Sequence, residues 1–196
     1  MNDALKLFDT SEYTKHKIGF EYFFTISIIA NILEEIKTRR NHIHKIIGLS
    51  NENLYSVPHI SLFKIKSERE QDDLIVENAQ QALQTISCFA ITFTGPITFI
   101  HGEKKRSIVL VVENDEPIKE VFGLLHKEFS SRKRRITPHA SIVKNISTTD
   151  FEKISPTLSK LNYKGEFLCK KITILKKVIG TERKENFKVL HEVKLQ

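Results

Sequence analysis

The sequence predicts an α+β fold assembled from one unit used twice, as two pseudo-symmetric lobes facing each other across a cleft. Three observations lead there. A tetrapeptide occurs twice, as Pro58-His59-Ile60-Ser61 and as Pro138-His139-Ala140-Ser141, each followed by apolar residues, Leu62-Phe63 and Ile142-Val143. The order of elements around each copy is the same: strand, helix, motif strand, helix, strand. Lastly, Cys88-Phe89-Ala90-Ile91-Thr92-Phe93 echoes Cys169-Lys170-Lys171-Ile172-Thr173-Ile174 at nearly the offset that separates the motif histidines. An internal duplication accounts for all three, with repeats over about 20–100 and 106–195 in a single domain spanning 1–196.

Residues 1–19 are weakly patterned and read as a short helix or arm. Tyr22 to Ile29 is rich in aromatic and β-branched residues, which predicts a buried strand. Asn31 suits an N-cap, with Glu34 at the capping-box position. The helix it opens runs to about Ile47 on an inner stripe of Ile32, Ile36, Ile43 and Ile47, and Gly48 stops it. A polar loop over Ser50 to Ser56 leads into the first motif strand, Val57 to Ile65. Glu70 to Ile86 is a second amphipathic helix, with Leu74, Ile75, Ala79, Ala82, Leu83 and Ile86 apolar. Cys88 to Thr94 reads as a strand, Gly95-Pro96 as a turn, Ile97 to Ile100 as a short strand, and His101 to Lys105 as a charged turn.

Ser107 to Glu113 is the strand that opens the second unit. Asn114 or Asp115 starts a helix with Pro117 in its first turn and Ile118, Val121, Phe122, Leu125 and Phe129 facing inward. The basic loop Arg132-Lys133-Arg134-Arg135 delivers the chain to the second motif strand. Thr148 or Thr149 caps a helix to about Leu161, interrupted by Pro156. Phe167 to Val178 reads as one long strand, Arg183 to Asn186 as a turn, and Phe187 to Leu195 as the last strand.

Composition narrows the function class. With 196 residues, 40% of them hydrophobic and 28% charged, the chain can bury a sizeable core. A net charge of +7 and a pI near 9.3 favour an anionic partner, although surplus lysine for solubility explains the charge as well. Two cysteines make no disulfide framework and no zinc spacing, which suits a reducing interior. The apolar run from Tyr22 to Leu33 is too short to span a bilayer, and Glu21 argues against a signal peptide. The expectation is a cytoplasmic monomer with no membrane partner.

Strand geometry turns the repeated motif into chemistry. Alternate side chains share a face, so His59 and Ser61 project together while Ile60 and Leu62 point into a core, and His139 and Ser141 repeat the arrangement. Two imidazoles at one site allow one to act as base while the other acts as acid. That suits transfer of a phosphoryl group between oxygens, with the serine hydroxyls donating to the non-bridging oxygens. A serine nucleophile would need a strained turn such as G-x-S-x-G, which neither motif has. Two histidines with hydroxyls are a poor first shell for zinc, so no metal and no cofactor are expected. The plainer alternative is a pair of satisfied strand histidines, which the duplication disfavours.

Other residues are candidates for substrate binding. Arg134 and Arg135 end a basic loop just before His139 and could hold an RNA backbone, or could be solvated. Lys104-Lys105-Arg106 carries the same ambiguity. Phe99 could stack on a base beside His101, or belong to the core. Lys64 falls off the His59–Ser61 face on an unbroken strand, as the alternation stands. His42 and His44 point apart on a helix. For His16, His126 and His191 the sequence names no partner, and Cys88 and Cys169 read as small core residues.

The duplicated H-x-S on strands, with this element order, resembles the two-histidine phosphoesterases, and within them the LigT-type, 2′-5′ RNA ligase-like group. The resemblance covers about Phe20 to Leu195. It implies two lobes of antiparallel sheet with helices outside, a lobe that can draw strands from both chain ends, and hydrolysis of cyclic or 2′-5′-linked phosphodiesters, most often a 2′,3′-cyclic phosphate at an RNA end. It makes His59 and His139 the acid/base pair and Ser61 and Ser141 the phosphate holders. Lys144 stands where many relatives carry a basic residue. RNA ends or small nucleotides are the implied partners. Ligation, the reverse reaction, and a binding module with little chemistry remain the alternatives.

Overall fold

The computed structural model describes residues 18–130, 135–180 and 185–196. Eight antiparallel strands make one sheet: β1 (Gly19–Ser27), β2 (His59–Ser67), β3 (Phe89–His101), β4 (Lys105–Val112), β5 (His139–Ser147), β6 (Tyr163–Cys169), β7 (Lys171–Ile179) and β8 (Lys188–Lys194). Their order is β6-β3-β4-β5-β2-β1-β7-β8. From either edge the sequence of neighbours is alike, with the motif strands β5 and β2 meeting in the middle. These two share one register pair, Ile60 with Ala140. The sheet is therefore two four-stranded halves, and one half draws β1 and β2 from the start of the chain and β7 and β8 from its end.

Helices α1 (Ala30–Ile47), α2 (Asn51–Tyr55), α3 (Asp72–Leu83), α4 (Glu116–Phe129) and α5 (Thr148–Ile154) connect the strands. The alternation of β1 puts Tyr22, Phe24 and Ile26 into the core, where each is nearly or wholly buried. Phe24 stacks on Phe63 at 4.6 Å and packs against Phe129 of α4 at 5.3 Å. The inner faces of α3 (Ile75, Ala79, Leu83) and α4 (Ile118, Val121, Leu125, Phe129) are buried in the same core, as are Ile32, Ile36 and Ile43 of α1. The opposite face of β1 carries Glu21, Phe23 and Thr25 and faces the cleft.

Several elements depart from the sequence reading. Gly95-Pro96 is no turn: β3 runs through it as one strand, which carries one extra residue against β4 between Thr94 and Ile97. Gly95 sits at φ +138, and a Cβ there would lie 3.1 Å from the Val109 carbonyl oxygen. The expected long strand from Phe167 is two strands divided at Lys170. β6 pairs with β3 and β7 with β1, so the chain crosses between the halves there. Asn31 lies inside α1, whose N-cap position is Ile29, and Glu34 pairs with Lys37 instead of closing a capping box. The Ser50–Ser56 loop contains α2, capped by Ser50, whose hydroxyl accepts the Asn53 N–H.

Ser147, one residue before the expected threonines, caps α5, and at Ser155-Pro156 the helix tightens into a 3-10 turn ending at Leu161. Cys169 is buried, which pushes its thiol up to about 11, and Cys88 is half-buried. The expected arm before residue 18 lies outside the described residues, as does the first half of the turn expected over Arg183 to Asn186. No described helix is long and apolar enough to cross a membrane.

Candidate active site

The cleft between the halves holds a cavity of about 230 Å³ lined by His59, Ser61, His139 and Ser141 together with Lys144. The Ile60–Ala140 pair explains why they meet. Both residues are fully buried, so their neighbours on each side turn to the opposite face. An antiparallel register centred on that pair sets His59 across from Ser141 and Ser61 across from His139.

The two histidines are held alike. His59 Nδ1 lies 3.0 Å from the Val57 carbonyl oxygen, and His139 Nδ1 lies 2.7 Å from that of Thr137. A carbonyl only accepts, so each Nδ1 carries the proton and donates it, leaving Nε2 to take or give a proton. An aromatic ring fixes each imidazole from the side: Phe23 meets His59 edge-on at 5.2 Å, and Phe99 meets His139 at 4.8 Å.

Burial pushes the His59 imidazolium below the ordinary histidine range, the Val57 carbonyl partly opposes this, and repulsion from Lys144, Lys64 and His139 adds to it. The Lys144 ammonium is pushed down by desolvation first, then by Arg40 and Lys64, with Glu52 opposing.

Both motif strands carry a bulge one residue past the serine. On β2, Ser61 and Phe63 pair with Thr25 and Phe24 of β1, and Leu62 between them has no partner in register. On β5, Ser141 and Val143 pair with Val109 and Ile108, and Ile142 is the extra residue. One inserted residue reverses the alternation. Leu62 and Phe63 are consequently both buried, as are Ile142 and Val143. Three residues past each serine, Lys64 and Lys144 thus come round to the histidine face. Lys64 was expected off this face, and the bulge is why it is on it. The repeated motif is longer than it first looks: H-x-S-φ-φ-K, twice.

Two residues outside the motifs set the β5 bulge. Arg40 of α1 is only 4% exposed and donates from Nε to the Ile142 carbonyl (2.6 Å), from Nη2 to the Ser141 carbonyl (3.2 Å) and from Nη1 to the Ser56 carbonyl. Asn53 of α2 brackets Lys144, its Oδ1 accepting the Lys144 N–H at 2.7 Å and its Nδ2 donating to the Lys144 carbonyl at 2.9 Å. Neither stood out in the sequence. Arg40 looks like an ordinary member of a charged helix, and Asn53 lies in a stretch that reads as loop.

Phe99 and His101, candidates from the sequence, line the cavity. His101 Nε2 is 2.9 Å from the Ser107 hydroxyl, which accepts the Asn145 N–H at 3.0 Å. Ser107 and Asn145 line the cavity too and were not foreseen. Arg135 is exposed in a separate groove against α4, beside Asp115, Phe122 and His126, and is not among the residues lining the cavity. Arg134 lies outside the described residues. Among the described residues, no three of His, Cys, Asp or Glu are grouped as a metal set.

Solved structures share this fold. LigT from E. coli, complexed with NADP+, aligns with a TM-score of 0.60 over 90% of this chain and 98% of that one, at 14% identity. TT0787 of Thermus thermophilus aligns at 0.60 over 89% and 97%, with 10% identity. LigT has also been solved with 3′-AMP. No curated protein matches the chain. At these identities the likeness is one of fold. A family model carries it further, matching residues 35–180, a span that holds both histidine motifs and both bulges: the chain belongs to the 2′-5′ RNA ligase superfamily, the two-histidine phosphoesterases.

Proposed function

We propose that the protein is a phosphodiesterase that opens 2′,3′-cyclic phosphates at RNA ends, or related cyclic or 2′-5′-linked nucleotides, by acid–base catalysis between His59 and His139. The observation that carries this reading is the pair of imidazoles, each anchored through Nδ1 and each set across from the other motif's serine. The strand order, alike from both edges, supports the internal duplication that would produce such a pair.

His59, held neutral by its surroundings, suits the base. Its Nε2 takes a proton from water as the water oxygen bonds to phosphorus. His139 in its protonated form gives a proton from Nε2 to the departing ribose oxygen as the P–O bond breaks. One water is consumed, one proton is taken up by His59 and one is given by His139, and exchange with solvent restores the pair. Ser61 and Ser141 donate to the non-bridging oxygens, while Lys144, which lines the same cavity, stabilises the charge that gathers there. With a ribose hydroxyl attacking the cyclic phosphate in place of water, its proton passing to His59 and the departing ribose oxygen taking one from His139, the same catalyst ligates. The reading gives no step to a metal. Two cysteines without a partner suit the cytoplasm.

The test is hydrolysis of nucleoside 2′,3′-cyclic phosphates, and of short RNAs ending in one, in excess EDTA. Turnover is expected in wild type and should fall at least about 100-fold in His59→Ala and in His139→Ala, with the far-ultraviolet circular dichroism unchanged. Full turnover in either variant would overturn the acid–base pair, and turnover only after added metal would overturn the metal-free reading.

A further inference from the structure

The cavity at the histidines is small. At about 230 Å³ it falls short of the ~300–1,000 Å³ common for whole small-molecule ligands. It has room for a scissile phosphate and its ribose, so the remainder of a nucleic-acid substrate must lie along the cleft. The cleft face of the β1–β2–β7–β8 half offers a continuous path. The His59 ring abuts Phe23, and Phe23 abuts Phe187, with centroids 5.4 Å apart. Lys64, brought onto this face by the Leu62 bulge, lies with its ammonium 4.6 Å from the Phe23 ring centre and 5.0 Å from that of Phe187. The Lys177 ammonium lies 4.6 Å from the Phe187 centre.

Charge along this path is unbalanced. Glu21, only 7% exposed, meets Lys177 at 2.7 Å and Lys64 at 3.6 Å. Among the described residues the ion pairs of both lysines go to this one carboxylate. Two ammoniums against one carboxylate leave a positive charge facing the cleft, and the looser Lys64 pair is the easier to redirect.

We propose that Lys64, Lys177 and Phe187 form a second subsite, which holds the base of the penultimate nucleotide and the phosphodiester that joins it to the nucleotide carrying the scissile cyclic phosphate. The inference rests on the reading above and narrows its substrate class: an oligonucleotide end, in preference to a free cyclic mononucleotide. The lysines move from ring and carboxylate to the phosphate, and the exposed side of Phe187 is left to stack on a base, the combination by which single strands are held without sequence readout. Among the described residues, the opposite wall, with Phe99 and His101, offers a ring and an imidazole but no such lysine pair.

The test compares kcat/KM for cytidine 2′,3′-cyclic phosphate with that for a tetranucleotide ending in the same group. The proteins are wild type, Lys64→Gln/Lys177→Gln, which keeps most of each stem over the rings, and Phe187→Ala. Wild type is expected to favour the tetranucleotide by about tenfold or more, and the lysine double variant to lose most of that ratio. For the tetranucleotide, the slope of log affinity against log salt should flatten by about 0.7 for each phosphate that the variant no longer neutralises. Equal kcat/KM for both substrates in wild type, or an unchanged ratio in both variants, would overturn the subsite.

Binding is measured in parallel, by anisotropy of a fluorescein-labelled tetranucleotide 3′-phosphate competed with 3′-CMP. Absence of turnover on every substrate strikes the catalytic reading alone. In that case a tetranucleotide affinity no better than that of 3′-CMP overturns the subsite, and a tenfold advantage lost in the lysine variant supports it.

Discussion

Ile60 of β2 pairs with Ala140 of β5, and this one antiparallel pair joins the two halves of the sheet. Each is the middle residue of a His-x-Ser motif and each is fully buried. Any change in their separation is therefore a change in the distance between the two imidazoles. Ala140→Leu adds volume where no space exists and is expected to cost about 1–3 kcal/mol of stability. Its effect on kcat should be larger than that of a similarly destabilising change elsewhere in the core, such as Ile75→Ala. Urea unfolding and steady-state kinetics on the two variants check this. Equal activity in both would show that the pair does not set the site.

The pH profile follows from the direction in which His59 is shifted. As a general base it must be unprotonated, so activity is lost as pH falls through its pKa. Burial and the nearby cations hold that pKa below the ordinary 6.5, placing the acid limb of kcat/KM below pH 6.5. Lys64 and Lys144 favour the neutral ring, so Lys64→Gln and Lys144→Gln should each move the limb upward, still short of 6.5 because burial is the larger cause. A limb that moves downward in either variant would contradict the assignment.

Arg40 donates to two buried carbonyls, at Ser141 and Ile142, and to a part-buried one at Ser56. Arg40→Ala removes all three donations and is expected to destabilise by about 3 kcal/mol. Arg40→Lys keeps the charge but cannot reach all three acceptors, so it should fold while losing kcat more than affinity for substrate. Thermal melts with a kcat and KM series separate these outcomes.

Gly95→Ala should lower stability by about 1–3 kcal/mol, because φ +138 is strained for any side chain and the new Cβ would press on the Val109 carbonyl. Its readout is the urea midpoint.

Much of the fold was legible because alternation is a strong signal. The motif strands, α1, α3 and α4 and their inner residues follow from spacing alone. What was missed lies where a local rule yields to a long-range partner. Leu62-Phe63 and Ile142-Val143 are pairs of consecutive apolar residues inside strands that otherwise alternate, which marks a bulge, and the lysine three residues past each serine fits the pattern once the bulge is known. Gly95-Pro96 has the composition of a turn, yet pairing with β4 and β6 on both sides keeps it within a strand. The boundary at Lys170 is invisible locally, since nothing in Phe167 to Val178 says that its two ends pair with strands from opposite ends of the sheet order.

The crossing at Lys170 also dictates how the molecule can be built. Strands β3 to β6 occupy one uninterrupted stretch, Phe89 to Cys169, whereas the partner half is split around it. A nascent chain that has left the ribosome only as far as Lys170 holds one four-stranded half complete. Beside it, β1 shows a bare edge where β7 will later pair, lined with aromatic and β-branched residues that invite intermolecular pairing. Closure waits for Leu195 and Gln196, whose backbone ties Gln196 to Ile86 and Cys88 and Leu195 to Lys170. Removing β8 together with Leu195 and Gln196 would thus unfasten the half that carries His59 while leaving the four strands of the half that carries His139 in place.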